Sequence, residues 1–267
     1  TGNIISVGLA IYIGGPGAVF WTWIGGIFGI ATKYAETYIA VKHRVKHSNG
    51  EYSGGAMIVF EKYNMKALAV TFAVLASLCA FGIGCATQAS AIVDSLNSTF
   101  GIENWVSGLV LCIITAIVIF GGIKSIGKVC EKLVPIMSII YVVGCVVILI
   151  INAQYLPKTF SLIVSSAFSA KAAAGGFVGT TMSMAMSNGI ARGLFSNESG
   201  MGSAPMATAA GEANNAVKPA IIGSTGVFWD TVVVCLATGL VIVSSVISND
   251  AIDCAKFLNG GELVTAC

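Results

Sequence analysis

Apolar residues run along this chain in stretches of about twenty, separated by short polar connections, and the first stretch is an exception. Residues 4–13 supply only ten positions before Gly14-Gly15-Pro16-Gly17, about half of what a bilayer span needs. Full-length stretches follow near residues 17–41, 67–96, 105–122, 133–152, 172–195 and 219–247. An open sheet leaves its edge groups unsatisfied in hydrocarbon, and the alternation of a closed barrel is missing, so each stretch is read as a helix. The fold class expected is all-α: a polytopic transmembrane helix bundle, with one half-helix and six spans in a single membrane domain over 1–267. A half-length segment beside glycine marks a broken membrane helix, and such breaks expose backbone groups that bind solutes near the bilayer midplane of transporters.

Composition agrees with the pattern. Hydrophobic residues make up 56% of the chain and charged ones 10%, with a mean hydropathy of +0.88, which excludes an ordinary soluble domain. A net charge of +2 without a basic, aromatic cluster excludes a nucleic-acid partner and leaves the lipid bilayer. Lys and Arg set the orientation, because they stay on the cytoplasmic side of short loops. Eleven of them, from Lys33 through Lys66, Lys124 through Lys132, and Arg192 with Lys218, fall in one set of connections. Only Lys158, Lys171 and Lys256 fall in the other. The half-helix therefore runs outward. A start at threonine reads as an internal excerpt of a longer protein.

Cys79, Cys85, Cys112, Cys145 and Cys235 lie inside apolar stretches and read as small hydrophobes. No C-x-x-C pair suggests a metal knuckle, and His43 with His47 reads as part of a solvated basic loop rather than as half of a metal site.

Polar groups inside the membrane are costly, so the few present are the candidates. Thr1, Gly2 and Asn3 stand where a helix restarts, and its first N–H groups suit a carboxylate. Asn3 as a plain cap is the simpler alternative. Ala80, Gly84 and Gln88 recur every four residues and share a face with one long amide, which fits a zwitterion or an interhelical hydrogen bond. Glycines 175, 176 and 179 weaken a second helix around Phe177, Gly179 and Thr180. They read as a second break or as a packing motif. Asp230 places a carboxylate near the midplane of the last stretch, to be paired, protonated or set beside a cation. An enzyme is not expected: Gly193 to Gly200 is serine-rich, yet it lacks G-x-S-x-G and has no histidine within reach.

Taken together these residues resemble the alanine or glycine:cation symporter family. The strings that carry the likeness are T-G-N-I at 1–4, G-G-P-G-A-V-F-W at 14–21, A-T-K-Y-A-E at 31–36 and F-G-I-G at 81–84 with Gln88. The longest is G-I-A-R-G-L-F-S-N-E-S-G-M-G-S-A-P at 189–205, and G-V-F-W-D-T follows at 226–231. The resemblance implies a five-plus-five inverted repeat with broken first and sixth helices around a central site. It implies inward symport of alanine or glycine with sodium across the cell membrane, and no cofactor beyond the co-transported sodium ion. The substrate site maps onto Thr1, Gly2, Asn3, Gln88, Phe177 and Thr180, with carbonyls near Gly179. Asp230 is the candidate for cation or charge coupling, and sodium ligands are expected partly outside this sequence. A same-fold transporter for another substrate is the alternative, and an ion channel is the rival from a different class.

Overall fold

The computed structural model describes residues 2–48, 50–168, 181–249, 252 and 260–267. Its first helix, α1 (Gly2–Gly14), opens with a π-helical turn over Gly2–Ser6. It ends at Gly15, whose φ of 69° turns the chain, and Pro16 then starts α2 (Gly17–Lys42). A proline at a helix start loses no intrahelical hydrogen bond, since the first N–H groups have no partner there.

After α2 comes a two-residue antiparallel ladder, β1 (Val45–Lys46) with β2 (Tyr52–Ser53), the one departure from helix among the described residues. A short helix α3 (Ala56–Lys62) leads into α4 (Lys66–Phe100), which is π-helical over Ala80–Ala86. Two apolar helices follow, α5 (Asn104–Phe120) and α6 (Gly122–Ile151). Then come α7 (Leu156–Phe168), α8 (Met182–Asn197), α9 (Ser203–Ala210), α10 (Val217–Ser248) and α11 (Gly260–Ala266).

Three of these helices are long and apolar enough to cross a bilayer: Lys66–Phe100, Ser125–Ile151 and Val217–Ser248. The large side chains of α5 and α6 point outward, among them Leu109, Ile113, Ile117, Leu133 and Ile140. In water that surface would be prohibitive, whereas hydrocarbon is its natural solvent. The buried core lies instead between α1, α2, α7 and α10, where Val7, Ile11, Val19, Ile163, Ile242 and Val243 meet.

Small residues bring α8 against α2. A Cβ on Gly189 would run into the Ala18 carbonyl and sit 2.8 Å from Trp21 Cβ, and one on Gly193 would lie 3.2 Å from the Thr22 carbonyl oxygen. Into this contact Thr22 Oγ1 reaches the Ala18 and Gly189 carbonyls, each at 3.0 Å. Gly26 similarly admits Thr231 of α10 to α2.

The single face expected for Ala80, Gly84 and Gln88 from a repeat of four is altered. The π-helical turn changes the four-residue repeat, and a Cβ on Gly84 would touch only Ala80. Most of the cations read as charges of the connections lie on helices among the described residues, and two of them are withdrawn from solvent. Lys33 lies buried in α2 and Arg192 half-buried in α8. His43 and His47 share no ligand set: the His43 ring packs on Tyr63, and His47 Nε2 is 2.8 Å from Ser53 Oγ.

Gly189→Val should cost about 1–3 kcal/mol through overpacking, because the obstructing atoms are backbone. Gly108→Ala, with nothing within 4 Å of the added Cβ, should leave the unfolding temperature unchanged or slightly raised. Thermal unfolding of the two purified variants checks the contrast, and equal shifts would contradict the packing described.

Candidate functional site

Helix α8 runs antiparallel to α1. Its first turn faces the far end of α1, where a Cβ on Gly14 would lie 3.2 Å from the Met184 carbonyl oxygen, and its last turn faces the beginning, where one on Gly2 would lie 2.9 Å from Ser196 Cα. Local chemistry fixes both ends of α8. Thr181 Oγ1 accepts the Met184 N–H at 3.2 Å as an N-cap. Glu198 then leaves the helix in the left-handed region, with φ 53°. The chain turns through Gly200 (φ 82°) and Gly202 (φ 77°) before α9 begins. Gly2 thus lies beside the last turn of α8, which is followed by an irregular turn.

Asp230 faces this junction from α10. It lies within the π-helical segment Phe228–Cys235, a local widening that is frequent at functional sites. Asn3 Nδ2 donates to Asp230 Oδ1 at 2.6 Å, and Ser196 Oγ donates to Oδ2 at 2.9 Å. Thr231 Oγ1 donates to Oδ2 at 3.1 Å. A second tier orients the first. Asn197 Nδ2 donates to Thr231 Oγ1 at 3.0 Å, which aims the threonine proton at the carboxylate. Asn197 Oδ1 accepts the Ser199 N–H at 2.9 Å, which ties the amide to the turn.

Ser196 Oγ also lies 3.1 Å from Asn3 Oδ1. A hydroxyl has one proton, so it serves either Asn3 or Asp230 at a given moment.

The turn after α8 is held from α2. Lys33 Nζ donates to the Glu198 carbonyl at 3.0 Å and pairs with Glu36 at 3.4 Å. Glu36 Oε2 in turn accepts the Gly200 N–H at 3.1 Å. A lysine at the C-terminal end of a helix satisfies a carbonyl and opposes the negative end of the dipole.

Of the residues read from the sequence, the structure brings Gly2, Asn3 and Asp230 together. Gln88 is half-buried on α4, beside Thr87. Thr1, Phe177, Gly179 and Thr180 lie outside the described residues. The interruption that the structure does describe falls at Glu198–Gly202, where the sequence reading placed the cytoplasmic end of a span. Ser196, Asn197 and Thr231 were missed as site residues. Their signal was present in Ser196-Asn197-Glu198-Ser199-Gly200, a polar, glycine-punctuated run between two apolar helices. It was weighed as a catalytic motif and as a string carrying the family likeness, but not as a binding site. Among the described residues no group of three metal-ligating side chains gathers, so the site offers one carboxylate, hydroxyls and amides.

Comparison with known proteins bears on these features. The model of the sodium:alanine symporter family matches residues 1–266. The sodium/alanine symporter AgcS of Methanococcus maripaludis is 45% identical over 247 residues, covering 91% of this chain and 54% of that protein. An uncharacterized transporter of Haemophilus influenzae is 43% identical, over 91% of this chain and 54% of its own length. A probable sodium/glutamine symporter, GlnT of Bacillus subtilis, is 37% identical over 92% of this chain and 50% of its own length. The chain spans about half the length of these curated relatives. The match is to symporters rather than to an enzyme family, and with the apolar helices it makes this a multi-pass protein of the cell membrane. By the match along 1–266, by identity and by its polytopic helical fold, the chain belongs to the sodium:alanine symporter family.

Proposed function

We propose that the protein carries a small neutral amino acid, alanine or glycine, into the cell together with sodium. The observation that carries this reading is the junction of Asn3, Ser196 and Asp230, where α1, the end of α8 and a carboxylate meet inside a membrane bundle. On this reading a helix restarts at Gly2, so two helix ends of opposite polarity offer both halves of a zwitterion a partner. The Gly2 and Asn3 N–H groups at the positive end of α1 receive the carboxylate. Carbonyls at the negative end of α8, joined by the Gln88 amide, receive the ammonium. Phe177, Gly179 and Thr180 complete the amino-acid site on this reading, with Thr1 beside Gly2. Asp230 supplies the negative charge that a sodium ion needs, and oxygen ligands suit such a hard cation. No resident cofactor is needed, because the work comes from the sodium gradient.

Coupling follows from the single proton of Ser196. When a cation sits on Asp230 it displaces a donor, and the hydroxyl turns to Asn3 Oδ1. That rotation holds the Asn3 amide and the helix end it caps, so the amino acid meets a preorganised site only when the cation is present. Differential affinity of this kind is what linkage between two ligands requires.

Several measurements on the intact protein test the reading. Uptake of radiolabelled alanine should collapse when the sodium gradient is removed, and unaffected uptake would contradict the coupling. Competition by glycine and alanine should exceed that by glutamine. The reverse order would assign a larger neutral substrate. Asp230→Asn should raise the sodium concentration for half-maximal uptake about ten- to a hundredfold, since a lost charged contact is worth about 1.5–3 kcal/mol. An unchanged sodium dependence would remove Asp230 from the cation path.

Gln88→Leu keeps size and helix propensity while removing a donor and an acceptor. Alanine affinity should fall about five- to a hundredfold if the amide meets the substrate. Unchanged affinity in a less stable protein would make it an interhelical contact worth about 0.6 kcal/mol.

A further inference from the structure

One helical turn before Ser196, α8 carries Arg192, a half-buried residue in the body of the helix. No hydrogen bond or ion pair is made to it among the described residues. It faces a cleft of about 780 Å³ bounded by α1, α4, α8 and α11, and Ser6, Thr87, Ser90, Asp94 and Glu262 share the lining. A volume of this size suits a small organic solute. The cleft lies on the side toward which α1 runs, the outer side by the charge bias of the connections. Residues four apart share a helix face, so Arg192 stands about 6 Å along α8 from Ser196.

We propose that this cleft is an outer capture site for the carboxylate of the amino acid, with Arg192 as its anchor. The inference takes its ligand from the transport reading above, while the chemistry of the site stands on the cleft itself. A guanidinium holds a carboxylate through paired, charge-assisted hydrogen bonds, the geometry for which arginine is suited. Ser6, Thr87 and Ser90 supply hydroxyls around it. Asp94 and Glu262 leave the cleft with two carboxylates to one guanidinium, so a solute bearing a second negative charge is repelled and a zwitterion is favoured. From Arg192 the amino acid needs to advance by about one turn of α8 to reach Asn3 and Ser196.

The experiment is protection of Arg192 from phenylglyoxal in the purified intact protein, followed by mass mapping of the modified peptide. Acetate and alanine should slow modification several-fold. Alaninol, which lacks the carboxylate, should not, and succinate should protect less than acetate. Equal modification with and without acetate and alanine overturns the proposal. As a second arm, Arg192→Gln should raise the alanine concentration for half-maximal uptake roughly ten- to a hundredfold, with Arg192→Lys in between. An unchanged half-saturation in a folded Arg192→Gln protein also overturns it. Protection by acetate in a protein that takes up no amino acid would sink the transport reading and keep the site. Sodium-driven uptake with Arg192 unprotected would do the reverse.

Discussion

A carboxylate in the middle of a membrane helix has to be met by donors from its own protein, because hydrocarbon offers none. On insertion scales a central aspartate costs about 2.5–3.5 kcal/mol, and a hydrogen bond to a charged group returns about 1.5–3 kcal/mol. Two or three donors are therefore enough. Asp230 has them from Asn3 at 2.6 Å, Ser196 at 2.9 Å and Thr231 at 3.1 Å. Those donors belong to three helices far apart in sequence, so satisfying one side chain fixes where α1, α8 and α10 meet. The arrangement also explains the π-helical segment around Asp230, since an extra residue per turn changes the angle at which a side chain leaves the helix.

Close packing makes the meeting possible. Helices in a bilayer gain little from hiding apolar surface from lipid, so they associate where small residues let backbones approach. Gly189 and Gly193 place α8 directly on α2, and Gly26 lets Thr231 in. Lys33 and Glu36 then grip the turn that ends α8 from the same helix. One face of α2 thus receives the α8 glycines that set the distance and carries the charges that hold the break, and Gly29 of the same helix leaves room for Asn197 and Ser199.

The helical architecture was legible because span length and charge bias are strong, local signals. Asn3 and Asp230 were legible for a related reason: an amide and an acid in apolar surroundings stand out without any knowledge of partners. Ser196, Asn197 and Thr231 did not, because hydroxyls and amides are common near helix ends and gain meaning only from what they face. The break after Asn197 was missed because Arg192 reads as a loop cation until α8 is seen beside α1. Gly84 shows the opposite error, in which a regular four-residue repeat was read through a stretch that winds as a π-helix. Periodicity carries information only while the helix keeps its pitch.

Ser196 joins the two halves of the proposed mechanism. It stands between the Asn3 amide and the Asp230 carboxylate, with hydrogen-bonding distances to both. A group that must choose between two acceptors has two nearly equal states, and small differential contacts are enough to shift such a pair. The same residue lies in the last turn of α8, one turn beyond Arg192, so the proposed path from the cleft and the proposed cation site at Asp230 converge on one hydroxyl. On that proposal the end of α8, rather than the span as a whole, is the element that two ligands would bias together, which is the physical requirement for coupling one to the other.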